Sequence, residues 1–292
     1  MKPTGRILAA FGRHYEVELA DGRRIKAHPR GKKSLFACGD EVELELVGND
    51  QARLLGHRPR RSLLFRADAG KQKLIAANAD QVVLVVACEP AFSDEFLTRA
   101  LAAAESEQLR VLLVLNKCDL ADLLPAAQQR IAPFVALGHP LVELSALHDA
   151  EPLRPHLIGH RSVLVGQSGM GKSTLINALV PNAHAATGEV SRALDSGKHT
   201  TTHTRLYRLP GGGELIDSPG MQEFGIGHLT VEEVEMAFND FRPLLGQCRF
   251  RDCRHDAEPD CALKAAVNAG RIAPRRLELL RRLRAEAGTA RR

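Results

Sequence analysis

No apolar run in this 292-residue chain is long enough to span a bilayer. The longest, Val82 to Cys88, falls far short of the roughly 20 residues a transmembrane helix needs. The opening stretch, Met1 to Phe11, lacks the sustained apolar core of a secretory signal, so the expected location is the cytoplasm. There is no internal repeat and no low-complexity tract. A disulfide framework is not expected either: the six cysteines would sit in a reducing compartment. These absences exclude membrane, repeat and disulfide-stapled classes. What remains is an ordinary globular composition with room for two or three domains.

The formal charge of +5 is unevenly spread. Arg23, Arg24, Lys26, Arg30, Lys32 and Lys33 crowd one segment, Arg58, Arg60, Arg61 and Arg66 another, and the tail from Arg271 to Arg292 is Arg-rich. A single such run is commonly a solvated face. Basic clusters in both flanking regions favour a phosphate-bearing partner, and nucleic acid above all.

Two patterns of apolar residues divide the chain. Over residues 1–50, Gly5–Ala10, His14–Ala20 and Asp40–Val47 read as short strands, with Asp21-Gly22 as a hairpin turn and the period of two clearest in Glu41–Leu46. Several short strands in so little chain predict a small OB-like barrel. His57–Arg61 reads as a linker. From about residue 70, apolar runs at Gln81–Cys88, Arg110–Leu115, Pro140–Leu144 and Ser162–Val165 alternate with helical segments such as Asp94–Ser106, which predicts a parallel α/β sheet. After Asp217 the strands stop, and residues 230–242 and 274–287 read as helices.

The chemistry lies in four motifs. Gly166-Gln167-Ser168-Gly169-Met170-Gly171-Lys172-Ser173, followed by Thr174, comes directly after a strand and opens a helix, as a P-loop must. Its backbone N–H groups can close on phosphate oxygens at a helix N-terminus. Lys172 would reach the β- and γ-phosphates, and Ser173 would ligate Mg²⁺. Asp217, at the end of the next strand, can hold Mg²⁺ through water, and Gly220 lets backbone approach the γ-phosphate. Asn116-Lys117-Cys118-Asp119 also follows a strand. The Asp119 carboxylate can accept from the ring N–H and exocyclic amine of guanine, a donor pair adenine lacks. Asn116 can brace that loop, and the Lys117 stem can cover the base. Ser145-Ala146, after another strand, could offer a backbone N–H to the guanine carbonyl. Finally, Cys248, Cys253, His255 and Cys261 lie within one short polar stretch. Three thiolates and an imidazole suit a closed, structural Zn²⁺ site with no open position.

The base motifs precede the phosphate motifs, the reverse of an ordinary small GTPase. In this order, and with the His199–Thr202 stretch His-Thr-Thr-Thr, the β-rich start and the Cys/His cluster, the chain resembles the circularly permuted GTPases that depend on the small ribosomal subunit. The resemblance covers nearly the whole chain. It implies stimulation of GTP hydrolysis by the small (30S) subunit, a role in that subunit's late maturation, contact with its rRNA, a catalytic part for His199 and zinc at the Cys/His cluster. Where many GTPases have a water-orienting Gln, this chain has Met221, so slow intrinsic hydrolysis is expected. Gly169 stands where potassium-dependent GTPases carry Asn, and the Gly usual near Ser145-Ala146 is absent. One of Thr200, Thr201 and Thr202 is expected to ligate Mg²⁺, with Thr201 as the candidate.

The expected architecture is multidomain: an OB-like RNA-binding barrel over 1–62, a circularly permuted GTPase over 63–228 and a zinc-binding helical domain over 229–292. The expected reaction is GTP to GDP and phosphate in a monomer, with Mg²⁺ and one structural Zn²⁺. A P-loop ATPase competes with this, and Asp119 speaks against it. An RNA-binding protein that uses GTP only as a structural or regulatory ligand also competes.

Asp119→Asn is expected to weaken GTP binding by about 1.5–3 kcal/mol and to favour XTP, because the amide puts a donor opposite a guanine donor. Competition binding of the two nucleotides reads this directly. Equal GTP affinity in the variant and wild type removes Asp119 from the base site.

Overall fold

The computed structural model describes residues 3–31, 35–68, 71–183, 185, 203–218 and 225–287. Five strands open the chain: β1 (Thr4–Ala10), β2 (Tyr15–Leu19), β3 (Arg24–Pro29), β4 (Glu41–Val47) and β5 (Gln51–His57). Their order is β1-β2-β3-β5-β4, and β4 pairs back onto β1, so the sheet closes into a barrel. All neighbours are antiparallel except β3 and β5. Period-two alternation fills its inside with Tyr15, Val17 and Leu19 from β2, Ile25 and Ala27 from β3, Val42 and Leu44 from β4, and Ala52 and Leu54 from β5. The strands β3 and β5 escaped the sequence reading because Lys, His and Arg occupy their outward positions. His57–Arg61 is no free linker: His57 ends β5, Arg58 N–H donates to the Glu41 carbonyl, and Arg60 is bound to Asp40.

After a two-stranded ribbon, β6 (Leu63–Asp68) with β7 (Lys71–Ala77), comes a parallel sheet. Its strands are β8 (Gln81–Ala87), β9 (Arg110–Asn116), β10 (Leu141–Glu143), β11 (Arg161–Val165) and β13 (Glu214–Asp217), with β12 (Thr204–Arg208) antiparallel. The order is β10-β9-β8-β11-β13-β12. All seven residues of β8 are buried, as expected of a central parallel strand. Helices α1 (Asp94–Ser106), α2 (Leu124–Val135) and α3 (Lys172–Leu179) lie between strands in sequence.

The barrel and the parallel sheet are hydrogen-bonded into one. Ala9 and Ala10 of β1 pair with Arg205 and Thr204 of β12, giving eleven strands in continuous order. Ion pairs reinforce the seam: Glu214 accepts from Arg6 (2.9 Å) and from Arg161 (2.6 Å), and Glu16 accepts from Arg205 (2.8 Å).

A second compact unit comprises Arg66–Lys73, Ser93–Ser106 and Glu223–Arg292. It contains α1, α4 (Val231–Met236), α5 (Ala262–Asn268) and α6 (Pro274–Glu286). Leu277, Leu279, Leu280 and Leu283 of α6 are buried, and Arg99 of α1 bonds both Glu95 and Glu286. The helix expected over 230–242 stops after six residues. Thr230 and Glu233 cap its start reciprocally, but the Asp240 carboxylate is held by Arg276, and Pro243 has no N–H to continue the ladder. Among the described helices none is long and apolar enough to cross a membrane.

The barrel hangs on one buried carboxylate. Asp40 is fully buried and accepts from Ala37 N–H (2.8 Å) and from two nitrogens of Arg60 (2.7 Å each). Arg60→Met strands that charge and is expected to cost about 3–5 kcal/mol. Adding Asp40→Asn recovers much of the loss. Urea unfolding midpoints of the single and double variants check both statements.

Candidate nucleotide site and metal centre

The P-loop occupies residues 166–173 between β11 and α3. Its glycines answer steric demands that can be located. A Cβ on Gly166 would lie 2.4 Å from the Val85 carbonyl oxygen of β8, and one on Gly171, at φ +92°, would lie 2.2 Å from Asn116 Nδ2. Only glycine fits against the Val85 backbone and the Asn116 side chain. Gln167, Ser168 and Gly169 form the accessible rim, Met170 is buried, and Ser173 and Thr174 lie half-buried in the first turn of α3. The Lys172 ammonium is folded onto the loop and donates to the carbonyls of Gly166 (2.7 Å) and Gln167 (3.0 Å).

Asp217 ends β13, beside Leu164 of β11 in parallel register, and is 4 % exposed. Burial pushes its carboxyl up to about 6, against the opposing pull of Lys172. Burial also brings the Lys172 ammonium down to about 8, partly offset by Asp217. Ser173 and Asp217 supply hard oxygen donors, the chemistry that suits Mg²⁺. Ser218, absent from the expected set, is buried and anchors this strand end by donating to the Leu164 carbonyl (2.6 Å).

The base loops close on the phosphate loop through Asn116. This side chain, 1 % exposed at the end of β9, donates through Nδ2 to the Met170 carbonyl (2.9 Å) and accepts at Oδ1 from Ala146 N–H (2.9 Å). Lys117 turns out of the strand at φ +63°. Asp119 is exposed, and the nearby Ser145 hydroxyl holds its carboxyl below the usual range. Ser145-Ala146 was expected to offer a backbone N–H to guanine; of the two, that of Ala146 is spent on Asn116 in this structure. His199, Thr200, Thr201, Thr202, Gly220 and Met221 lie outside the described residues.

In the second unit, the donor atoms of Cys248, Cys253, His255 and Cys261 all lie within 4.8 Å of one another. The Cys248 and Cys261 sulfurs are 3.8 Å apart. A tetrahedron with metal–sulfur bonds of ~2.3 Å has an edge of about 3.8 Å, so the cluster fits one metal ion. His255 turns Nδ1 to the sulfurs (3.6 and 3.4 Å) and Nε2 to the Glu235 carboxylate (3.2 Å), an orientation that leaves Nδ1 as the ligand atom. Arg284 pairs with that carboxylate (2.7 Å) and donates to the Cys253 carbonyl (3.1 Å). Glu235 lies 20 residues from His255 on a helix, and no ligand spacing announces it.

The perturbed lysine carries a pH signature. Its folded value, about 8, lies below the unfolded 10.5, so the unfolded chain binds the extra proton and stability rises as pH climbs through that window. Lys172→Met removes the dependence. In the nucleotide-free protein the variant is therefore expected to gain on wild type as pH falls from 10.5 to 8, by on the order of 3 kcal/mol. Parallel unfolding curves across that range measure the difference, and parallel pH profiles would refute it.

The RsgA GTPase family model matches residues 57–227. The small ribosomal subunit biogenesis GTPase RsgA of Burkholderia pseudomallei (strain K96243) is 54 % identical over 98 % of this chain and 93 % of its own. The protein of the same name from Nitrosospira multiformis is 49 % identical over 98 % of this chain and 92 % of its own. Among solved structures, YjeQ from Thermotoga maritima superposes with a TM-score of 0.70 at 30 % identity over 98 % of both chains. YloQ, a circularly permuted GTPase, gives 0.67 at 26 % identity over 100 % of this chain and 96 % of that one. The family match takes in the base loops and the phosphate loops alike, in their inverted order, and the chain belongs to the RsgA GTPases: it is a circularly permuted enzyme that hydrolyses GTP.

Proposed function

We propose that this enzyme hydrolyses GTP when docked on the small ribosomal subunit, in the late maturation of that subunit. The observation that carries the GTP site is the Asn116 bridge, which gathers loops 30 and 54 residues away into one cradle. The subunit comes from the relatives, which carry small-subunit biogenesis in their names. The basic clusters on the barrel and tail supply phosphate-binding charge, consistent with rRNA contact, and the working location is the cytoplasm.

The roles divide by chemistry. Asp119 reads guanine, with Lys117 over the base and Ser145 and Ala146 shaping the loop. The backbone of residues 166–171 and the Lys172 ammonium hold the phosphates, Lys172 leaving its two carbonyl acceptors to do so. Ser173, Asp217 and Thr201 would hold Mg²⁺, which when bound offsets charge between the β- and γ-phosphates. Gly220 lets backbone approach the γ-phosphate. His199 orients the attacking water, a task the thioether of Met221 cannot perform. The metal in the Cys₃His cluster is zinc, held structurally: the soft donors are those zinc prefers, and four protein ligands leave no position for substrate.

Single-turnover GTP hydrolysis with and without small subunits tests the reading. Marked stimulation is expected, and its absence would favour an RNA-binding protein that keeps GTP only as a ligand. In the same assay His199→Ala should lower the stimulated rate roughly 10²-fold or more while GTP binding and docking persist. His203→Ala, four residues on, should change little.

A further inference from the structure

The barrel and the parallel sheet share only a short seam. Pairing of β1 with β12 lasts for two residues, Ala9 with Arg205 and Ala10 with Thr204. The register of β1 against β2 then shifts between Ile7 and Ala9, so Leu8 is a bulge that bends β1 into the barrel. Strand β12 instead continues along β13 as far as Arg208. The wedge between the diverging strands is a cavity of about 270 Å³.

Its lining is apolar below and cationic above. Leu8, Leu206 and Val180 are buried and form the floor. Arg24 of β3 and Arg205 and Arg208 of β12 line the walls. These three side chains are held in place from behind. Arg205 donates to Glu16 (2.8 Å), Arg24 pairs with the same carboxylate at 3.5 Å, and Arg208 bonds Glu18. Neither glutamate lines the cavity, and no carboxylate among the described residues does. A guanidinium presents five N–H donors in a planar fork, so each arginine can keep its glutamate and still offer donors to a guest.

We propose that this wedge is a binding site for one backbone phosphate of single-stranded RNA. The inference rests on the rRNA contact in the reading above and gives that contact a place. Guanidinium forks match the paired oxygens of a phosphate, and the apolar floor suits the sugar beside it. Volume decides between a free nucleotide and a stretch of polymer. Pockets that enclose small molecules begin at about 300 Å³, so this one holds a phosphate with its sugar rather than a whole nucleotide. A phosphate seated here touches the barrel through Arg24 and the GTPase sheet through Arg205 and Arg208. One contact therefore clamps the two folds at the point where their strands separate.

Anisotropy of a short fluorescein-labelled oligouridylate, followed on the full chain as salt is raised, tests the site. Arg208→Gln and Arg24→Gln are each expected to weaken binding roughly tenfold. Each should also lower the slope of log K against log salt by about 0.7, the share of one single-strand phosphate. Because both arginines serve one phosphate, the double variant should lose far less than the product of the single losses. Arg53→Gln removes the same charge from the barrel outside the cavity and should cost much less. Ala183→Leu fills the cavity without changing charge and should weaken binding as the arginine variants do. GTP affinity, measured alongside, should be unchanged in every variant and so reports an intact fold. Equal losses in Arg53→Gln and Arg208→Gln overturn the proposal, as does an oligouridylate affinity indifferent to Ala183→Leu. Calorimetry with inorganic phosphate separates the sources of the anion. If phosphate binds, is lost in Arg208→Gln, and the oligouridylate is unaffected by that substitution, the site serves a small phosphate ligand and the RNA assignment falls. The small-subunit reading is judged on wild type alone: stimulated hydrolysis with unperturbed RNA binding in the variants removes only the cavity, whereas no stimulation removes the reading beneath it.

Discussion

Two hydrogen bonds of one buried amide tie the candidate phosphate and base loops together. Asn116 holds a P-loop carbonyl with one end and the N–H of Ala146 with the other. Both partners are buried, so neither bond can be exchanged for water without leaving a polar group unsatisfied. The bridge also explains why the order of motifs along the chain is free to be inverted. Phosphate and base loops all sit at the ends of neighbouring parallel strands, and the amide fixes their spacing whichever loop comes first. The steric demand runs both ways: Gly171 is glycine because Asn116 Nδ2 occupies the space its side chain would need.

Much of this was legible beforehand, for a physical reason. Phosphate cradles need glycine at fixed places, guanine needs a carboxylate, and a soft metal needs thiolates close together, so the chemistry leaves a local spacing in the sequence. The parallel strands were equally plain, since burial on both faces makes them continuous apolar runs. What stayed hidden was long-range or depended on a partner's geometry. Glu235 becomes a support for His255 only when α4 packs beside the cysteine loop, and nothing in a Glu on an acidic helix says so. The barrel strands β3 and β5 were masked by their charged outer faces. Arg60 looked like part of a basic linker, although its guanidinium is the partner of a fully buried Asp40. The competition for Ala146 N–H likewise needs the folded loop to be seen.

The folded Lys172 shows the cost of keeping such a site ready. The ammonium is buried against two carbonyls, and the Asp217 carboxylate offsets only part of the desolvation. A ligand carrying several negative charges relieves that cost on arrival.

The union of barrel and parallel sheet has a consequence for behaviour in crowded solution. Sheets end in strands whose backbone donors and acceptors invite a neighbour's chain, and long open ends seed intermolecular strand addition. Here eleven strands run in one sequence, and at the barrel end the last strand bonds back onto β1, so that end presents no terminal strand. Among the described residues the other end of the sheet is β10, three residues from Leu141 to Glu143. So short a strand offers another molecule little backbone to extend.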